Sequence, residues 1–197
     1  MGAIVFGHGR LADHLRANVV SSVPSSIIVP AIDGTAVAVH ELDDVHIASL
    51  FEEPIRAVIH SCQEAFQSGS RRIVIIVPTT AMSGGAQYSA TAALAEAARV
   101  LVKSAARQWG RDRVTVNAIA VEPRWFGIDP AIAGPVSIAA PALFDDVIVE
   151  RLQVDVPPTW PEGEDILDPV PLVAWLCSES AGTTTGQTLV CDGGQWM

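Results

Sequence analysis

Tyr88 is the only tyrosine in this 197-residue chain, and a phenol can pass a proton to or from a substrate oxygen. Two further hydroxyls, those of Thr79 and Thr80, precede it closely in the sequence, and Ser83 lies between them and the tyrosine. A hydroxyl beside a phenol is a pair that can hold and protonate one oxygen atom. We therefore take Tyr88, Thr80 and Thr79 as candidate catalytic residues, with Ser83 as a further candidate.

The same phenol lacks a cation in its neighbourhood along the chain. A free phenol has a pKa of about 10, so only about 0.1% of it is ionised at pH 7. A cation one helical turn after Tyr88 would correct this, but that position is Ala92. Arg99 and Lys103 lie too far along the predicted helix to replace it. The sequence therefore predicts a weak proton donor at best.

Apolar runs predict the elements that must position these residues. A short strand at about residues 3–6 leads into Gly7-His8-Gly9 and a helix over about 10–19, which is the layout of a dinucleotide-binding turn. Gly7 and Gly9 are thus candidate cofactor-binding residues. Further buried strands are predicted near 27–29, 36–39, 72–77 and 114–120, and amphipathic helices over about 46–68 and 88–109. This alternation predicts an α/β protein with a parallel sheet.

Composition narrows the class of protein. The length predicts one domain over residues 1–197, in which a long, proline-rich segment at 124–169 contains few predicted elements. The net charge of −10, with scattered basic residues, argues against nucleic acid and anionic membranes as partners. Neither the three single cysteines nor the five histidines have metal-ligand spacing, so we expect no metal site. We expect buried thiols and a cytoplasmic location.

Several segments together resemble the short-chain dehydrogenase/reductase family. They are Gln87–Leu94 around the tyrosine, the strands at 72–77 and 114–120, and above all the C-terminal run from Thr185 to Gly194. The resemblance implies a Rossmann-like doubly wound parallel sheet and an NAD or NADP cofactor. It also implies that Tyr88 transfers the proton, that Thr79 or Thr80 takes the place of the family's serine, that Ala92 stands where the family has lysine, and that residues 124–169 form a substrate lid.

Other family features are missing. The turn after the first strand should contain two more glycines, but Leu11 and Asp13 occupy those places and would obstruct a pyrophosphate. Glu122 precedes Pro123 where the family has a Pro-Gly pair, which would bring a carboxylate into the cleft. The family's Asn-Asn-Ala-Gly segment is absent, and no asparagine lies near residues 53–54, where the family's catalytic asparagine is expected. We infer that one helix–strand unit of the first half is missing.

These losses favour a non-catalytic subunit that uses no cofactor. The resemblance implies assembly through the helices at about 46–68 and 88–109 and through the C-terminal strand, and we expect an intact family member as the partner in a heteromer. One alternative is an active NAD- or NADP-dependent oxidoreductase that acts on a carbonyl or alcohol through Tyr88. Others are a cofactor-independent enzyme similar to the halohydrin dehalogenases and a homo-oligomeric binding protein.

Overall fold

A five-stranded, fully parallel sheet forms the centre of the protein in a computed structural model, which describes residues 2–129 and 166–193. The strands lie side by side in chain order, and each pairs with the next. The predicted α/β class and parallel sheet are confirmed. The strands are β1 (Ile4–Phe6), β2 (Ser25–Ile28), β3 (Arg72–Pro78), β4 (Thr115–Val121) and β5 (Thr188–Cys191).

The helices follow the predicted pattern, with one irregularity before Pro54. A five-residue π-helical turn, Ala48–Glu52, joins the second helix to the third, and Pro54 lies in the first turn of the third, where its missing N–H is tolerated. Asp43 caps the start of this stretch by accepting a bond from the His46 N–H at 2.9 Å. The helices are α1 (Arg10–Asn18), α2 (Asp44–Ile47), α3 (Glu53–Gln67), α4 (Thr80–Ser83), α5 (Ser89–Trp109) and α6 (Val170–Leu176).

Side chains of the strands alternate between two buried layers. Val74 and Ile76 of β3 point to the face covered by α1 and α6, whereas Ile73, Ile75 and Val77 point to the face covered by α3 and α5. Strands buried on both faces read as continuous apolar runs, which is why β3 and β4 were predictable from sequence. The sheet is therefore the middle of three layers.

One predicted strand is wrong, and another has an unexpected place. Residues 36–38 have no regular structure, and a 3₁₀ turn follows at Val39–Glu41. In the usual dinucleotide-binding sheet, the first strand lies between the second and the fourth. Here β2 pairs with both β1 and β3, so it occupies the place of a fourth strand. Among the described residues β1 is therefore an edge strand.

The connection before β2 and the connection after it have opposite hands. Helices α1 and α3 lie on opposite faces, although the steps from β1 to β2 and from β2 to β3 run in the same direction across the sheet. The two crossovers must therefore have opposite hands, whereas about 98% of parallel crossovers are right-handed. Adjacent strands whose connections leave on opposite faces leave a crevice at their carboxyl ends. The geometry therefore favours a site between β1 and β2.

The cysteines are free, and two of the three lie fully in the core. Burial raises the pKa of Cys62 to about 12 and that of Cys177 to about 11, because the thiolate would be poorly solvated. Cys191 is only half-buried. The prediction of buried thiols is confirmed for Cys62 and Cys177, and it is wrong for Cys191 because β5 is covered incompletely.

We predict that these raised pKa values make the protein less stable in alkali. Thiols that stay neutral in the native state but ionise when unfolded, near pH 9, stabilise the fold below pH 9. That stability is lost as the pH rises from 9 towards 11 and 12. Urea unfolding at pH 8 and pH 10 measures the loss, which should be smaller in Cys62→Ala. An equal loss in both proteins would contradict the assignment.

Candidate functional site

A cavity of about 460 Å³ opens at the carboxyl ends of β1 and β2. One wall is the turn between β1 and α1, and the other is the segment that follows β2, which we call the 30–38 loop. Arg10 and Asp33 bring a cation and a carboxylate to these walls, and no motif in the sequence pointed to either. Trp125 and Phe126, which belong to the segment that the sequence predicted as a lid, close one side.

The two candidate glycines shape the turn of this cavity. Gly7 has a φ of 107°, and a Cβ atom there would lie 2.2 Å from the carbonyl oxygen of Val29. Gly9, at φ 93°, precedes α1 without any side-chain cap. Only glycine allows the backbone of the turn to approach β2 this closely. The structure therefore uses Gly7 for packing, whether or not a ligand binds.

Leu11 and Asp13 obstruct this turn less than the sequence indicates. The Leu11 side chain is 2% exposed and packs in the core beneath α1. The Asp13 carboxylate binds Arg16 at 2.7 Å, and the Arg16 guanidinium also donates to the carbonyl of Gly7. Above the turn, the Arg10 guanidinium lies 5.2 Å from the ring centre of Trp125. The local charge at the helix start is thus balanced rather than negative.

Glu122 does not face an open cleft, contrary to expectation. Its carboxylate is 2% exposed, pairs with the Arg124 side chain, and accepts a 3.3 Å bond from the Leu167 N–H. The Trp125 indole donates to the carbonyl of Leu167 at 2.9 Å. These contacts hold the chain before residue 130 against the chain after residue 165. The lid predicted at 124–169 falls mostly on residues 130–165, outside the described residues, and stays a prediction.

The 30–38 loop packs against the segments that precede α5 and follow β4. The Val37 N–H donates to the carbonyl of Gln87 at 2.7 Å, just before α5. A Cβ atom on Gly34 would lie 2.2 Å from the carbonyl oxygen of Gly127, which follows the 3₁₀ turn Pro123–Phe126 after β4. Ile32 and Ala36 of the loop pack against the core cluster that contains Tyr88. The loop therefore helps to bury the region around the tyrosine.

Tyr88, Thr79 and Thr80 are all buried. Tyr88 is 3% exposed at the N-cap of α5, and its hydroxyl accepts a 3.3 Å bond from the Asp129 N–H. Both threonines are 0% exposed, and neither hydroxyl has a hydrogen-bond partner among the described residues. The backbone before the tyrosine is strained, since Gln87 has a φ of 65°. The structure thus brings the three candidates to the carboxyl end of the sheet and buries all of them.

Arg99 and Lys103, the two cations weighed from the sequence as replacements for the missing lysine, make their contacts elsewhere. Ala92 follows Tyr88 by one turn of α5 and is half-buried. The Arg99 guanidinium pairs with Glu96 and donates to the Thr188 hydroxyl at 3.3 Å, so it is directed towards β5. Lys103 lines a separate cavity near Gly186. The expectation that neither residue substitutes for lysine is consistent with these contacts.

Two kinds of feature are absent from residues 2–129 and 166–193. No group of three or more histidine, cysteine or acidic side chains is arranged to hold a metal ion there. No helix in the same ranges is long and apolar enough to cross a membrane.

A parallel sheet with helices on both faces, a glycine turn after its first strand and a tyrosine at the start of α5 define a Rossmann-like α/β protein. A family profile described as enoyl-(acyl carrier protein) reductase matches residues 18–195, which leaves out β1 and nearly all of α1. The chain therefore belongs to the short-chain dehydrogenase/reductase family. The family resemblance noted in the sequence is confirmed.

Curated relatives are longer than this chain. A tropinone reductase homolog from Arabidopsis thaliana is 29% identical over a 181-residue alignment, which covers 89% of this chain and 58% of that protein. Senescence-associated protein 13 of the same plant is 27% identical, over 89% of this chain and 59% of that protein. The chain thus spans somewhat under two thirds of the length of these relatives.

Solved structures of the family share the fold. The crystal structure of levodione reductase has a TM-score of 0.65 at 17% identity, covering 87% of this chain and 66% of that one. A structure described as a dehalogenation enzyme has a TM-score of 0.57 at 23% identity, covering 87% of this chain and 68% of that one. At these identities the likeness concerns the fold alone.

We predict that Gly34→Ala destabilises the protein, because the added methyl group would collide with the backbone of Gly127. Overpacking of this kind costs about 1–3 kcal/mol in free energy of unfolding. Gly110→Ala is the matched control, since its Cβ would meet no atom within 4 Å and its φ is −59°. Urea unfolding compares the two variants. Equal free energies of unfolding for the two variants would show that Gly34 does not pack against Gly127.

Proposed function

We propose that this chain is a non-catalytic member of the family that acts as a structural subunit. The observation that carries the proposal is the burial of Tyr88, Thr79 and Thr80. A substrate oxygen must come within about 3 Å of the proton donor, and here the Tyr88 hydroxyl is already bonded to the backbone at Asp129. Chemistry at Tyr88 would require the segments packed around it to move, including the 30–38 loop, which is bonded to Gln87.

The described residues do not fit a complete nicotinamide dinucleotide. In the usual arrangement the strand whose acidic residue binds the adenosine ribose lies beside the first strand, on the side away from the fourth. That side of β1 is an edge within the described part of the chain, and the carboxylate at the cavity, Asp33, follows β2 on the other side. At the other end, Ala92 offers no cation to the nicotinamide ribose or to the phenol. We therefore propose that the chain needs no cofactor. A solved structure described as an NADPH-dependent reductase has the same fold, with a TM-score of 0.61 at 19% identity.

Assembly is the function that the remaining surface supports. Ile59 of α3 and Val100 of α5 are 40% and 50% exposed, on the two helices from which the sequence predicted an interface. Trp175 of α6 and Val190 of β5 are 39% and 40% exposed on the predicted second surface. Exposed apolar side chains on adjacent elements favour a protein partner. We infer that the partner is an intact family member, which supplies the lysine and the nucleotide site, in a cytoplasmic heteromer.

One observation favours the alternative of an active oxidoreductase. The hydroxyls of Thr79, Thr80 and Ser89 are buried without hydrogen-bond partners in the described ranges, and such groups are uncommon away from functional sites. A substrate oxygen would satisfy one of them if the 30–38 loop opened. In that case Tyr88 would transfer the proton, with NAD or NADP as the hydride carrier.

Thermal unfolding with and without millimolar NADH or NADPH separates these two functions. We expect no saturable rise in melting temperature with either nucleotide, because only a ligand that binds the native state stabilises it. A saturable rise that persists in Tyr88→Phe would restore the nucleotide site. If turnover of a carbonyl substrate accompanied it and was lost in Tyr88→Phe, the subunit proposal would be wrong.

Val100→Glu tests the interface. We expect this charge on α5 to weaken assembly by about tenfold or more, since an unpaired buried charge is costly. Val39→Glu is the control, because Val39 is 68% exposed on the 3₁₀ turn and outside the predicted interface. Light scattering during size exclusion, alone and after co-expression with an intact family member, gives the mass. Unchanged assembly in Val100→Glu would contradict the predicted surface.

A further inference from the structure

A second cavity lies at the amino ends of the strands, whereas the candidate site lies at their carboxyl ends. Its volume is about 690 Å³, within the range of small-molecule sites, and its walls include the residues that begin β3 and β4. Arg71, Arg72 and Arg113 line it together with a single acidic residue, Glu179. Three arginines and one glutamate leave two positive charges there, in a chain whose net charge is −10.

Arg72 is the central group of this cavity. Its side chain is 7% exposed, and two of its N–H groups donate to the carbonyls of Ser178 and Arg71 at 3.1 and 3.0 Å. Its Nη2 atom lies 3.8 Å from the Glu179 carboxylate, which is beyond hydrogen-bond distance, and that carboxylate is 80% exposed. A buried cation is costly unless an anion balances it. The cavity therefore contains a fixed guanidinium whose Nη2 atom is paired only loosely, with the exposed carboxylate of Glu179.

Arg113 brings a third arginine to the cavity. It ends the 3₁₀ turn Gly110–Asp112 with a φ of 59°, a left-handed conformation that suits glycine. A smaller cavity of about 280 Å³ shares Thr185 with the first and adds Lys103 and Arg107. Five of the twelve basic residues thus surround one end of the sheet.

We propose that this arginine cavity binds the phosphate group of a small molecule. A phosphate monoester carries a charge of about −1.5 to −2 at pH 7 and has three strong acceptor oxygens, which matches two excess positive charges and several guanidinium donors. A monocarboxylate would leave one charge unbalanced. The site lies at the amino ends of the strands, so it is separate from the crevice at their carboxyl ends and does not depend on the proposed subunit function.

Isothermal titration with inorganic phosphate and with glycerol 3-phosphate, at ionic strength held constant with chloride, tests this site. We expect saturable binding of one equivalent per chain. Arg71→Ala and Arg113→Gly should each weaken it by about tenfold or more, because each removes a charged donor. Arg56→Ala, an exposed arginine that lines neither cavity, should change the affinity by no more than about twofold. Tighter binding of the ester would assign an organic phosphate, and equal binding would assign the free anion.

Arg113→Gly also separates binding from folding. Glycine suits the left-handed backbone, so this variant should melt no lower than the wild type while it loses phosphate affinity. The proposal is overturned if the wild type shows no saturable binding, if Arg113→Gly binds phosphate as the wild type does, or if succinate binds as tightly as phosphate. A nucleotide response that survives Arg113→Gly would belong to the crevice and would bear only on the proposed subunit function.

Discussion

The direct pairing of β2 with both β1 and β3 is the constraint on which the rest of the structure depends. It makes β1 an edge strand within the described residues, and it sends α1 and α3 to opposite faces of the sheet. The crevice between β1 and β2 follows from that divergence. The walls of that crevice are the turn after β1 and the 30–38 loop.

Close backbone packing helps to close the carboxyl end of the sheet. Gly34 lies against Gly127, and Val37 is hydrogen-bonded to Gln87, so the 30–38 loop joins the segments before α5 and after β4. Tyr88 and both threonines are buried at this end, and the unpaired threonine hydroxyls cost free energy of folding. The strain at Gln87 lies at the same place. The local cost is offset by the apolar contacts of the surrounding core, of which Tyr88 is itself a part.

Charged side chains are distributed differently at the two ends of the sheet, which the net charge does not show. At the carboxyl end, Asp13 pairs with Arg16 and Glu122 pairs with Arg124. At the amino end, arginines converge with a single acidic side chain among the residues that line the larger cavity. A chain that carries an excess of acidic residues thus has a positive region among its described residues. The two ends of the sheet offer different chemistry, because charged residues that are scattered in sequence meet where the strands begin.

Sequence alone determined the α/β class, the strands β3 and β4, the long helix α5 and the family, since doubly buried strands and amphipathic helices leave strong periodic patterns. It also identified Tyr88 and the absence of lysine at Ala92, because a motif is local. Only the tertiary structure decided that residues 36–38 form a loop bonded to Gln87, that β2 lies beside β1, and that Glu122 pairs with Arg124. Those outcomes depend on contacts between residues far apart in the chain, such as Gly34 with Gly127. No local pattern encodes such a contact, because its energy depends on where the other strands already lie.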